Sequence, residues 1–143
     1  MRSASVGVVV RNNLGQALFS SWDFIQSCTC VDEAELRASL AGLSIGITLH
    51  KPIVLETDCA FVAFFLAKES IDRSPHVDLK TEAVSVSKLI KDFKIVKIDR
   101  QANRVAYEIA KFSFDSRTDG ILYNSIPPSV TSFVMNDRKN LVL

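Results

Sequence analysis

Apolar and polar positions along this chain change period several times, and each change marks an element. Val6 to Val10 is a β-branched run closed by Arg11. Asn12-Asn13-Leu14-Gly15, whose residues tolerate positive φ, leads into Ala17-Leu18-Phe19-Ser20-Ser21-Trp22, so the segment predicts an antiparallel hairpin. The period then lengthens. Ala34, Leu36, Leu40, Leu43, Ile47 and Leu49 give a helix over 33–49 a broad apolar face, with Asp32 placed to cap it. Gly42 and Gly46 weaken helix propensity and point to close packing of that helix on a sheet. After Pro52, Ile53 to Thr57 opens with a continuous apolar run, the pattern of a central strand covered on both faces.

Asp58 follows that strand, and Cys59 to Lys68 is a strongly apolar helix containing Phe61, Phe64 and Phe65. A loop over Ser70 to Asp78, containing Pro75, precedes a more amphipathic helix over Leu79 to Asp92. Lys94 to Asp99 predicts a strand, and Asn103 is placed to cap a last helix over Arg104 to Phe114. Beyond Asp115 the pattern fades into turn formers, with Val130 to Met135 a candidate strand. The order ββ-α-β-α-α-β-α plus a tail predicts the α/β class. The expected division is one domain over 4–115 and a C-terminal tail over 116–143 that packs on or completes the sheet.

Composition narrows the class without naming a function. The chain has 143 residues, enough for one core without covalent staples. Seventeen basic against sixteen acidic residues leave a net charge of +1, so no overall field points to nucleic acid or membrane. Lys88, Lys91, Lys94 and Lys97 come nearest to a basic patch and read as a solvated helix face and strand edge. No segment has the length and apolarity of a membrane span or the form of a secretory signal, so the expected location is intracellular, cytoplasm or nucleus. Three cysteines, an odd number without paired spacing, suit a reducing compartment. Cys28-Thr29-Cys30 is half of a metal-binding spacing, but no second Cys/His pair follows at finger-like distance and His50 and His76 lie far off in sequence. Trp22, Phe61, Phe64 and Phe65 read as core or interface rather than as base-stacking platforms, and His76 as an exposed loop residue.

Two carboxylates stand at positions suited to chemistry. Glu35 lies in the first turn of its helix, where helix-dipole preference alone also favours an acid. Asp58 ends a buried strand, where ligands bind in open α/β sheets.

Taken in order, several segments resemble plant ribonuclease-H-like domains of the reverse-transcriptase-associated type. Val6 to Gly15 resembles their second strand and hairpin, and Ala34-Glu35-Leu36-Arg37-Ala38 with Leu40, Gly42 and Leu43 their first helix. Ile53 to Cys59 is similar to their strand ending in Asp-Cys, Arg100 to Ala106 to their Arg-Glu-Ala-Asn-x-Val-Ala signature, and Ile126-Pro127-Pro128 to their tail. The resemblance implies a ribonuclease-H-like mixed sheet flanked by helices. It implies Mg²⁺ as cofactor of an active enzyme, four carboxylates holding two ions, and cleavage of the RNA strand of RNA–DNA hybrids.

On that resemblance Glu35 and Asp58 match two of the four metal and catalytic carboxylates. Tyr107 occupies the position of a third, and a neutral phenol is a poor ligand for a hard cation. Glu108 is one residue off, turned by about 100° around the helix. Lys97 is the nearest polar residue to the family's loop histidine. The family's first strand, which carries the remaining carboxylate, has no counterpart before the hairpin, and its absence would leave apolar edges on Val6–Val10 and Ile53–Thr57. The expected function is therefore a catalytically degenerate domain that binds a strand-donating protein partner or itself as a homodimer. The alternatives are a remnant holding hybrid or duplex nucleic acid through Arg100, Asn103 and Arg104, or an active magnesium endonuclease.

Overall fold

The computed structural model of the chain describes residues 2–68 and 76–130. The expected strand over Val130 to Met135 lies, after its first residue, outside the described residues, as does most of the loop over Ser70 to Asp78. The chain falls into two compact units, Met1–Cys28 with Arg100–Leu143, and Thr29–Asp99.

The first unit is built on the hairpin. β1 (Arg2–Arg11) pairs antiparallel with β2 (Ala17–Cys28), Val10 opposite Phe19 and Gly7 opposite Trp22. Asn12 closes the turn: its side-chain oxygen accepts from the backbone N–H groups of Leu14 and Gln16, and Gly15 takes φ 78°. Both strands run beyond their expected ends, because pairing continues through Ser5–Phe24 and Ala4–Ile25 where side-chain alternation alone is weak.

The helix near the C-terminus, here α4 (Arg104–Ser116), lies on one face of this hairpin. Alternation puts Ser5, Gly7 and Val9 of β1, with Ser20, Trp22 and Phe24 of β2, on that face. Val105 and Ile109 of α4 are fully buried there with Val130, against Val9, Trp22 and Ile126. Backbone meets backbone at Gly7, where a Cβ would stand 2.5 Å from both the Ala106 carbonyl oxygen and the Ala110 nitrogen. The Ser5 hydroxyl donates to the Ala110 carbonyl at 2.5 Å, and Trp22 meets Phe112 edge-on with ring centroids 5.4 Å apart.

A short strand, β5 (Gly120–Tyr123), stands where the sequence pattern shows only turn formers. It pairs antiparallel with β2 and gives the order β1-β2-β5, so within the described residues β1 is hydrogen-bonded on one side only. Gly120 is required where it stands, because the Trp22 indole lies across it and leaves no room for a side chain.

The second unit holds α1 (Val31–Leu49), β3 (Val54–Thr57), α2 (Ala60–Lys68), α3 (Val77–Lys88) and β4 (Lys94–Lys97). β3 and β4 pair in parallel, Val54 opposite Lys94 and Thr57 opposite Lys97. The core joins Leu36 and Leu43 of α1, Val62, Phe65 and Leu66 of α2, and Ala83 and Val84 of α3 with Ile90. Gly46 lets α1 approach Ile53 and Ile90 closely. Lys80 is 1 % exposed, its stem sunk in the unit and its Nζ 4.9 Å from the centroid of the Phe61 ring.

Three sequence expectations are corrected here. β3 is not covered on both faces: Val54 is 55 % exposed, and among the described residues only β4 pairs with the strand. Asp32 does not cap α1, because the helix starts two residues earlier than expected, at Val31, with Cys30 in the capping position. Glu33 acts instead, its Oε2 accepting from the Thr29 N–H at 2.7 Å and its Oε1 meeting Arg37 at 3.2 Å. Asn103 precedes α4 but makes no side-chain capping bond; its carbonyl accepts from the Tyr107 N–H at 3.1 Å.

The contact at Gly7 predicts that Gly7→Ala lowers stability by about 1–3 kcal/mol, since neither backbone atom can yield without moving α4. Urea unfolding checks this, and an unchanged midpoint would refute it. Asp23 on β2 gives a pH prediction. Partial desolvation, then the nearby Asp119 charge, raises its carboxyl above the ordinary range. A group raised on folding favours the native state below its unfolded value and loses that contribution as pH climbs through the folded one. Asp23→Asn is therefore expected to raise Tm at about pH 7 and to lose that advantage by about pH 3, read by thermal unfolding at both values.

Candidate functional site

In the second unit α1 and β3 position the two carboxylates taken from the sequence. β3 ends at the buried Thr57, whose hydroxyl accepts from the Cys59 N–H at 3.1 Å and turns the chain sharply into α2. Asp58 lies in this turn, half-buried, at the carboxyl end of the strand. Glu35 lies in α1 one turn from its start, and its carbonyl accepts from the Ser39 hydroxyl at 2.9 Å.

The Glu35 charge is felt at Cys59, the residue after Asp58. Burial raises that thiol most; the charges of Glu35 and Asp32 add to it, against the lowering effect of the Val62 and Phe61 backbone N–H groups. The fold thus brings the Glu35 charge to the turn that carries Asp58. Among the described residues, however, no group of three or more His, Cys, Asp or Glu side chains could hold a metal ion.

The other sequence candidates belong to the first unit, on the approach to α4 and its first turns. Arg100 accepts from the Asn103 N–H through its carbonyl at 3.1 Å and stays exposed. Arg104 is exposed, with Nε 4.0 Å from Glu108, so Glu108 is engaged along its own helix. Tyr107 is 51 % exposed, while Val105 and Ile109 on either side of it are buried. Lys88, Lys91, Lys94 and Lys97 are all exposed, as the solvated-face reading expects.

One pair escaped the sequence reading. Cys30 Sγ lies 3.3 Å from His76 Nε2, although 46 residues separate them. Only the isolated Cys28-Thr29-Cys30 spacing drew attention to Cys30, and nothing in the sequence pointed to His76 as its neighbour.

This arrangement, a β-hairpin sheet under a C-terminal helix and a parallel strand pair with its own helices, defines a ribonuclease-H-like fold. The RNase H1 of the halophilic archaeon Halobacterium salinarum NRC-1 superposes with a TM-score of 0.72 at 23 % identity, covering 80 % of this chain and 87 % of that one. The N-terminal RNase H domain of a Mycobacterium tuberculosis protein, solved as a fusion with maltose-binding protein, gives a TM-score of 0.55 at 15 % identity over 80 % of this chain and 94 % of that one. The profile of the reverse transcriptase-like family matches residues 1–113, and the chain belongs to that family. No curated protein matches it. Among the described residues no helix is long and apolar enough to cross a membrane.

The electrostatic link predicts that Glu35→Gln lowers the Cys59 thiol toward its ordinary value and speeds its alkylation in the native protein. Glu82→Gln, on the exposed side of α3, is the control and leaves the rate unchanged. Mass-resolved alkylation at mildly alkaline pH reads both, and equal rates in the Glu35 variant and the parent would place that carboxylate away from the turn.

Proposed function

We propose that this chain is a catalytically degenerate ribonuclease-H-like domain that acts by binding a strand-donating protein partner or a second copy of itself. The observation that carries the reading is the ligand deficit. Glu35 and Asp58 stand in one unit, an exposed phenol occupies the α4 position where the resemblance requires a carboxylate, and no third acidic, His or Cys ligand joins a cluster among the described residues. Mg²⁺ asks for several oxygen ligands in near-octahedral order, and two-ion hydrolysis asks for a nearly complete set of carboxylates. The described residues do not fit that pair of ions, so no hydrolytic step is assigned to them.

Partner binding has its own support in β1. Among the described residues β2 is its one strand neighbour in the sheet, and a strand at the edge of a sheet is a template for strand addition. Retention of RNA–DNA hybrid or duplex without cleavage is the second reading, favoured by the exposed Arg100 and Arg104 beside Asn103. The plant origin of the resembling domains and an intracellular location remain part of the proposal.

One experiment separates the readings: a labelled RNA–DNA hybrid incubated with the full chain and Mg²⁺, followed for cleavage and retention, beside sedimentation of the chain over a concentration series. The expected outcome is no cleavage and a mass that rises with concentration. Cleavage lost in Glu35→Gln or Asp58→Asn would restore the enzyme, and salt-sensitive retention without cleavage would favour the nucleic-acid remnant.

A further inference from the structure

Two helix starts in the second unit meet at a cysteine and a histidine. Cys30 holds the capping position of the 19-residue α1, yet its side chain makes no capping bond. The backbone N–H just before it, on Thr29, donates to Glu33 Oε2 at 2.7 Å. His76 stands at the start of α3 in the left-handed region, φ 69°, a conformation rarely held by a residue other than glycine, asparagine or aspartate. That backbone accompanies an imidazole whose Nε2 lies 3.3 Å from Cys30 Sγ, within reach of a hydrogen bond to sulfur. Cys30 is exposed and His76 half-buried, so an incoming reagent can reach the sulfur while the base behind it is held.

The other two thiols lack this arrangement. Cys28 is buried, and the Cys59 thiol is raised by burial and by the charges of Glu35 and Asp32. A nucleophile within hydrogen-bond distance of a base is the basic unit of thiol activation, and a helix N-terminus favours the thiolate it produces. A metal site is the weaker reading, because no third His, Cys, Asp or Glu joins the pair among the described residues.

We infer that Cys30 and His76 form a reactive thiol–imidazole pair, a covalent modification site that takes a low-molecular-weight disulfide and forms a mixed disulfide at the start of α1. His76 Nε2 accepts the Cys30 proton, and the sulfur bonds to one sulfur of the disulfide as its S–S bond breaks. The departing thiolate carries away the electron pair and recovers the proton from His76. One disulfide and one protein thiol thus give one mixed disulfide and one free thiol, with no other oxidant. The adduct sits at the start of the helix that carries Glu35.

The test uses the full native chain with 5,5′-dithiobis(2-nitrobenzoate) and, separately, oxidised glutathione, with the modified residue located by mass spectrometry. A single fast site at Cys30 is expected, about tenfold faster or more than the same residue in the urea-unfolded chain. His76→Asn, which keeps a residue tolerant of the left-handed backbone, should bring that rate down to the unfolded value. Continued protection of Cys28 in this variant shows that the fold is intact, and Glu82→Gln serves as a variant expected to keep the fast rate. An unchanged Cys30 rate in a folded His76→Asn protein would overturn the inference, as would first reaction at Cys59. Blocking of Cys30 by micromolar Zn²⁺ added to the native chain would overturn it in favour of a metal pair.

Discussion

A β-strand is satisfied only when both its hydrogen-bonding edges have partners, and the two sheets of this chain each answer that requirement on one side. β2 lies between β1 and β5 and is the one strand with a neighbour on each side among the described residues. Among those residues β1 has a strand neighbour on one edge, and β3 and β4 pair with each other. Exposed edges of this kind are normally shortened, charged, bulged or covered. β4 uses charge, with Lys94 and Lys97 at its ends, and β1 places Arg2 and Arg11 at its ends and shifts register near both. The middle of β1, from Val6 to Val10, carries neither charge nor proline.

What the edges leave open, the faces close. α4 covers the hairpin because Gly7 has no side chain to hold the helix away, and the buried Val105 and Ile109 then fill the space beside Trp22. The same packing carries a cost at Trp22, whose buried Nε1 finds no acceptor among the described residues. Edge-on contact with Phe112 and the cover that the indole gives Gly120 hold it there. In the second unit a continuous apolar cluster does the same work with less dependence on any one residue, since three helices contribute to it.

Much of this was legible in sequence wherever local pattern and tertiary demand agree. The hairpin, α1, α2, β3, β4 and α4 follow from period and turn chemistry, and Glu35 and Asp58 stood out by position and resemblance. The failures are of three physical kinds. β5 is four residues long and owes its existence to pairing with β2, which no local pattern records. At the start of α1 the Thr29 N–H and hydroxyl both donate to Glu33 Oε2, so the acid that engages the helix start is Glu33 and not Asp32. Cys30 and His76 meet through the packing of α1 against α3, and proximity across 46 residues leaves no trace in spacing.

The position of Tyr107 shows which side of α4 holds the fold and which side faces solvent. Along α4 the residues that hold the helix to the hairpin are Val105, Ala106, Ile109 and Ala110, and all face the sheet. Tyr107 projects to solvent between them, so a phenol costs the fold little at that place. The fold therefore depends on one face of this helix and not on the other. A likeness in fold to ribonucleases H, however close, leaves the reaction to be argued from the site residues themselves.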